Sequence, residues 1–129
     1  MASRNLSDLS PEMQRIAGQF LTECHAEKLD IVIICTHRPA TEQQKAFDCG
    51  ASKCKPGQSA HNCLNANGIP AAEAFDVGVI RNGKYVGNGS DPDYLRAGAI
   101  GEKLGLVWAG RWKKMKETAH FQNANWRKP

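Results

Sequence analysis

Two Asn-Gly pairs, Asn67-Gly68 and Asn82-Gly83, stand between two cap-then-proline signatures, Ser10-Pro11 and Asp91-Pro92. That order narrows the fold more than any other feature of the chain. Asn and Gly tolerate positive φ, which the tight turns of antiparallel hairpins require. A hydroxyl or carboxylate followed by Pro starts a helix: the side chain accepts from a backbone N–H that would otherwise lack a partner, and proline needs no donor in the first turn. Helices flanking hairpins describe an α+β domain, in which a small antiparallel sheet packs with two or three helices.

Local patterns fill in this outline. Met13, Ile16, Ala17, Phe20, Leu21 and Cys24 recur at three- and four-residue spacing, the buried stripe of an amphipathic helix. Asp30 leads into Ile31-Val32-Ile33-Ile34-Cys35, a β-branched run that reads as a buried strand and delivers Thr36-His37-Arg38 at its end. Thr41 is placed to cap a short helix through Phe47 that stops near Gly50. Ala74–Ile80 reads as an antiparallel strand. Leu95, Ala99, Ile100 and Leu104 form a second amphipathic stripe ended by Gly105, and Leu106-Val107-Trp108 and Ala119–Gln122 read as the last strands. No repeat or linker divides the 129 residues, so 1-129 is expected to be a single domain.

Composition removes several classes. The hydrophobic fraction of 41% and charged fraction of 23% are those of an ordinary globular protein, and no run approaches the roughly 18 apolar residues of a membrane span. Residues 1–8 carry one base and no apolar core, so no signal peptide is expected. The net charge is only +4, but it is uneven: after Glu102 the sole acid is Glu117, against Lys103, Arg111, Lys113, Lys114, Lys116, Arg127 and Lys128. A basic C-terminal third suits an anionic partner, or else a solvated face. Five cysteines, an odd count without a leader, point to reduced thiols. Cys49, Cys54, His61 and Cys63 offer a rival structural zinc site, although their gaps do not make paired C-x-x-C knuckles.

The chemistry concentrates in two stretches, Ser59-Ala60-His61 with Ala74-Phe75-Asp76, and Glu117-Thr118-Ala119-His120. They supply two imidazoles and a carboxylate for one metal, with a second carboxylate beside them. Three protein ligands and an open position are how a catalytic zinc is held, and a nearby Glu outside the ligand set is the base its water needs. An Asp between Phe75 and Val77 is costly to bury without a charge partner, which a metal provides. Taken singly, each residue has a plain structural role: a core or surface His, a strand-end Asp, a Glu relieving a basic patch.

These motifs, with Thr36-His37-Arg38-x4-Gln43 upstream and Trp108-Ala109-Gly110-Arg111-Trp112 before the last one, resemble the D-Ala-D-Ala carboxypeptidase/dipeptidase group of zinc peptidases, which includes phage L-alanyl-D-glutamate endopeptidases. Five matches fall in the family's order between residues 31 and 122. The resemblance implies one zinc ion held by His61, Asp76 and His120, with Glu117 as base and Arg38 steadying the developing oxyanion. Ser59, Gln43 and Trp112 would line the substrate pocket. Two departures stand out. The gap of fourteen residues between His61 and Asp76 is longer than usual in the family and holds Asn67-Gly68, so a longer hairpin is expected to absorb it. The family's Trp-Gly-Gly is Trp108-Ala109-Gly110 here. If His61 lies elsewhere, His37 is the substitute ligand.

By that resemblance the expected function is an endolysin: a zinc peptidase, monomeric, that cuts the L-Ala–D-Glu bond of peptidoglycan stem peptides. It would be made in the host cytoplasm and act at the cell wall, with the basic C-terminal segment on an anionic envelope surface. A D-Ala-D-Ala carboxypeptidase or dipeptidase is the alternative within the family. Outside it stand a zinc-bearing binding module without hydrolysis and a basic nucleic-acid-binding domain whose Trp108, Trp112, Phe121 and Trp126 would stack bases. No nucleic-acid partner is expected on the first reading.

Overall fold

A computed structural model describes residues 2–114 and 116–129; Met1, the first residue of the segment read for a leader, lies outside them. Among the described residues three α-helices and five strands make an α+β fold. The first helix, α1 (Pro11–Ala26), starts where the sequence indicates, with Ser10 accepting from the Met13 N–H at 3.3 Å. Its Met13, Ala17, Phe20 and Cys24 are buried. Strand β1 (Ile31–Cys35) follows, then α2 (Ala40–Asp48), which begins two residues before the expected Glu42 and is preceded by Pro39 rather than capped by Thr41. The hairpin β2 (Ala74–Arg81) and β3 (Lys84–Val86) turns on Asn82-Gly83, both at positive φ (54° and 74°). Asp91 caps α3 (Pro92–Lys103) by accepting from the Asp93 N–H at 3.0 Å. Gly105, at φ 90°, turns the chain into β4 (Leu106–Trp108), and β5 (His120–Asn123) closes the sheet.

The sheet runs β1-β2-β5-β4, all antiparallel, with β3 extending the hairpin from β2. Strand residues alternate between faces. Phe75, Val77, Val79 and Phe121 turn toward the helices, where Phe20 meets Phe75 and Phe121 at ring-centre distances of 5.4 and 4.9 Å. Asp76 and His120, directly paired across β2 and β5, turn to the other face. β1 is an edge strand and only half covered: Ile31 and Cys35 are buried, whereas Val32 is 39% exposed, so the run expected to be wholly buried has one solvent face. Among the described residues, no helix is long and apolar enough to cross a membrane.

The second Asn-Gly pair behaves differently. Around Asn67-Gly68 the chain makes only an isolated bridge, Leu64 to Pro70, closed by the Gly68 N–H on the Asn65 carbonyl at 3.0 Å. The extra residues between His61 and Asp76 form this surface excursion rather than a paired hairpin of the sheet. The Ala109 departure is equally local. Ala109 is buried in a short 3-10 turn with its methyl accommodated, while a Cβ at Gly110 would lie 2.2 Å from the Trp108 ring.

Helix α3 sits close to the sheet because it offers glycine there. A Cβ at Gly101 would meet the Phe121 ring at 2.4 Å. In an open helix Gly→Ala would gain about 1 kcal/mol. Here Phe121 is fully buried and cannot yield, so Gly101→Ala is expected to destabilise by about 1–3 kcal/mol. Denaturant unfolding checks the sign: an unchanged or higher midpoint would contradict the close approach.

Candidate metal centre

The ladder between β2 and β5 places Asp76 opposite His120 and brings the Asp76 Oδ1 within 2.9 Å of His120 Nδ1. His61 arrives from outside the sheet. It lies in a 3-10 turn, Ala60–Asn62, rather than at the start of a hairpin strand. Ser59 caps that turn by accepting from the His61 N–H, and the Asn62 carboxamide oxygen accepts from the Ser59 N–H. The turn is tied to the end of β1, with the Arg38 N–H donating to the His61 carbonyl at 2.8 Å. His61 Nε2 then stands 3.2 Å from Asp76 Oδ1 and 3.3 Å from His120 Nδ1.

The outer bonds of the two rings decide what this triangle is. His61 Nδ1 lies 2.7 Å from the Thr36 carbonyl, which can only accept, so this nitrogen carries the hydrogen. His120 Nε2 likewise donates to Gln122 Oε1 at 2.8 Å. In the neutral rings, Nε2 of His61 and Nδ1 of His120 are therefore lone pairs aimed, with a carboxylate oxygen, at one point. Three acceptors without a donor require a cation. A proton serves one of these contacts well; a metal ion serves all three. Ligands about 2.0–2.1 Å from a tetrahedral zinc stand roughly 3.3 Å apart, and the observed edges are 2.9, 3.2 and 3.3 Å. The donor set therefore fits a zinc-type ion.

Glu117 completes the group. Its carboxylate lies within 4.8 Å of the Asp76 and His120 ligand atoms, close enough to share an ion with them, and it is the exposed member of that group. The loop carrying it is pinned. The Glu117 N–H donates to the Ala109 carbonyl at 3.2 Å, the Trp108 indole to the Thr118 carbonyl at 2.8 Å, and the Thr118 hydroxyl to the Gly89 carbonyl at 2.7 Å. Arg38 approaches from the far side, with Nη2 4.0 Å from Asp76 Oδ2. A cleft of about 430 Å³ opens over the triangle, lined by Arg38, Ser59, His61, Trp112, Glu117 and His120 among others. The Trp112 ring stands 5.6 Å from that of His120.

One expected pocket residue lies elsewhere. Gln43 is completely buried behind Arg38, outside the cleft wall. It accepts from Arg38 Nη1 at 3.0 Å and donates to Ser52 Oγ and the Cys54 carbonyl at 3.0 and 2.7 Å, so it braces Arg38 and the following loop. Helical spacing from Arg38 could not distinguish a pocket wall from the layer behind it. His37 joins no metal-sized group, and neither do Cys49, Cys54 and Cys63 among the described residues. All five cysteines are free thiols. Cys35, which reads as plain core, sits 3.8 Å from His61 Nδ1. Gln122 was also missed in the sequence, although its position two residues after His120 on the same strand face is a usable signal.

Burial alone would raise the Asp76 carboxyl, but the His61 and His120 rings overcome it and hold that carboxyl far below the usual carboxylate range. Burial also opposes charge on His61, yet the Asp76 carboxylate prevails and pushes the imidazole up to about 10. Metal-free protein thus keeps a proton on His61, bound to Asp76. A folded-state value above the ordinary 6.5 means that this stabilisation is full below 6.5 and is lost as pH rises through about 10. Melting temperature in chelator is therefore expected to fall across that range, and a metal in the proton's place is expected to remove the dependence. Equal pH profiles with and without metal would contradict this.

No protein-family model matches the chain. It is 28% identical to the peptidoglycan L-alanyl-D-glutamate endopeptidase CwlK of Bacillus subtilis (strain 168), over 124 residues covering 90% of this chain and 74% of that protein. Its fold is similar to that of the Serratia marcescens L-Ala D-Glu endopeptidase ChiX, with a TM-score of 0.70, 20% identity, and coverage of 95% of this chain and 88% of that one. The LD-carboxypeptidase LdcB is similar at a TM-score of 0.65 and 16% identity, over 89% of this chain and 58% of its own. Across most of its length the chain is thus similar in sequence to a peptidoglycan endopeptidase and similar in fold to two peptidoglycan peptidases.

Proposed function

We propose that this protein is a zinc-dependent peptidoglycan peptidase that cleaves the L-Ala–D-Glu bond of stem peptides and serves as a phage endolysin. The observation carrying the reading is the convergence of His61 Nε2, Asp76 Oδ1 and His120 Nδ1 beneath an open cleft, with Glu117 beside them. The endopeptidase activity named for CwlK and ChiX supports the choice of bond over the D-Ala-D-Ala alternative. The lysis role is carried over from the resemblance of the motifs to phage L-alanyl-D-glutamate endopeptidases.

His61, Asp76 and His120 would hold the ion, each oriented by an outer partner: the Thr36 carbonyl, Arg38 and Gln122. The chemistry zinc supplies when bound is Lewis acidity, which acidifies an attacking water and polarises the scissile carbonyl. Glu117 accepts the proton of that water and passes it to the departing nitrogen. Its exposed position lets it reach substrate on the cleft side. Arg38, fixed by Gln43, places a guanidinium where the carbonyl oxygen becomes anionic, and Trp112 and Ser59 wall the cleft.

Digestion of purified sacculi followed by identification of new amino termini tests the proposal. New D-Glu termini are expected. Release of free D-Ala instead would move the assignment to the carboxypeptidase alternative, and intact sacculi would defeat both.

A further inference from the structure

Three of the basic C-terminal residues, Lys114, Arg127 and Lys128, lie at the cleft itself. Arg127 and Lys128 line the same cleft as the metal triangle, with Lys114, Lys53 and Arg38. Five basic side chains therefore border a cleft whose wall contains one acid, Glu117. Among the described residues, Lys53, Lys114 and Lys128 form no ion pair or hydrogen bond through their ammonium groups. Arg127 uses one guanidinium nitrogen on the Ala124 and Trp126 carbonyls, at 2.6 and 2.9 Å, and has no acidic partner.

The tail that carries two of these charges is anchored. The Trp126 N–H donates to the Asn123 carbonyl at 3.1 Å, and its indole meets the Cys63 thiol. Asn123 in turn donates to Glu73 Oε2 at 2.7 Å. Unpaired cations held around a cleft raise the local concentration of anions and favour ligands that bring their own negative charge. At about 430 Å³ the cleft has the size of a short peptide's site, and its charges gather around a concavity rather than along a strip suited to a nucleic-acid backbone.

We propose that Arg127, Lys128 and Lys53 form a carboxylate-recognition subsite that selects stem peptides with free side carboxylates over those in which these groups are amidated. This rests on the peptidase reading above and names the substrate class within it. It also gives the basic C-terminal segment a role in the cleft rather than on an envelope surface.

The test uses zinc-loaded Glu117→Gln protein, so that the peptide survives, and follows tryptophan fluorescence, since Trp112 and Trp126 line the cleft. A stem peptide with free carboxylates is expected to bind about 10-fold more tightly than its amidated counterpart, the scale of two or three partly exposed charge pairs. Adding Arg127→Gln, Lys128→Gln and Lys53→Gln is expected to bring the two affinities within about 2-fold. Equal affinities at the outset overturn the subsite. So do a preference that survives the three substitutions, no saturable binding of either peptide, or equal competition by a short oligonucleotide. Wild-type protein that shows the preference but cleaves neither peptide leaves the subsite standing and defeats the peptidase reading. Cleavage of both with equal affinity does the reverse.

Discussion

Glu117→Gln is expected to keep its metal and lose almost all turnover, with kcat/KM falling by about 10²–10⁴-fold, the range a positioned general base contributes. That corresponds to roughly 3–5 kcal/mol of barrier. Gln has the same shape, so the loop pinned by Trp108 and Thr118 has no reason to move. What it lacks is a site to take a proton. Because His61, Asp76 and His120 converge without Glu117, the exposed member of the group, zinc content is expected to be unchanged. Turnover in sacculi assays and metal analysis on the same preparation check both halves. Full activity would remove Glu117 from the mechanism, and loss of metal would make it a ligand.

Asp76→Asn carries the second large effect and separates charge from shape. The carboxylate is the only anion in the triangle, and its Oδ1 faces both His61 Nε2 and His120 Nδ1. An amide retains an oxygen but not the charge, and its NH2 end would oppose bare nitrogens or displace them. Loss of an outer partner of a metal ligand costs about 10–100-fold in affinity, so loss of a charged ligand is expected to cost about 100-fold or more. Hydrolysis should fall with it and recover in part at high zinc, since Glu117 and Arg38 remain. Asp76→Asn protein that binds zinc as tightly as wild type would place the ion elsewhere.

How much of this was readable in the sequence depended on how local each determinant is. Ser10 caps α1 and Asp91 caps α3 through bonds spanning two or three residues, and Asn82-Gly83 makes its turn from its own φ values. Such features need no tertiary information. The facing of Asp76 and His120 was only implied by strands that might be neighbours; the register that pairs them comes from packing Phe75 against Phe121 in the core. His61 shows the limit most clearly. It reaches the site from a 3-10 turn fixed by Thr36 and Arg38, some 25 residues earlier in sequence, and nothing local to Ser59-Ala60-His61 specifies that contact. The position of Gln43 behind Arg38, and of Arg127 and Lys128 at the cleft, was out of reach for the same reason. Whether a side chain lines a cleft or braces its wall is set by what packs over it.

The claim that His61, Asp76 and His120 form one metal centre is tested most directly by titrating zinc into chelator-stripped wild-type protein by calorimetry, beside Asp76→Asn. The account predicts one tight site per wild-type chain and its severe weakening in the variant. A folded wild-type chain that takes up no zinc, or a variant that binds it equally well, would contradict the account.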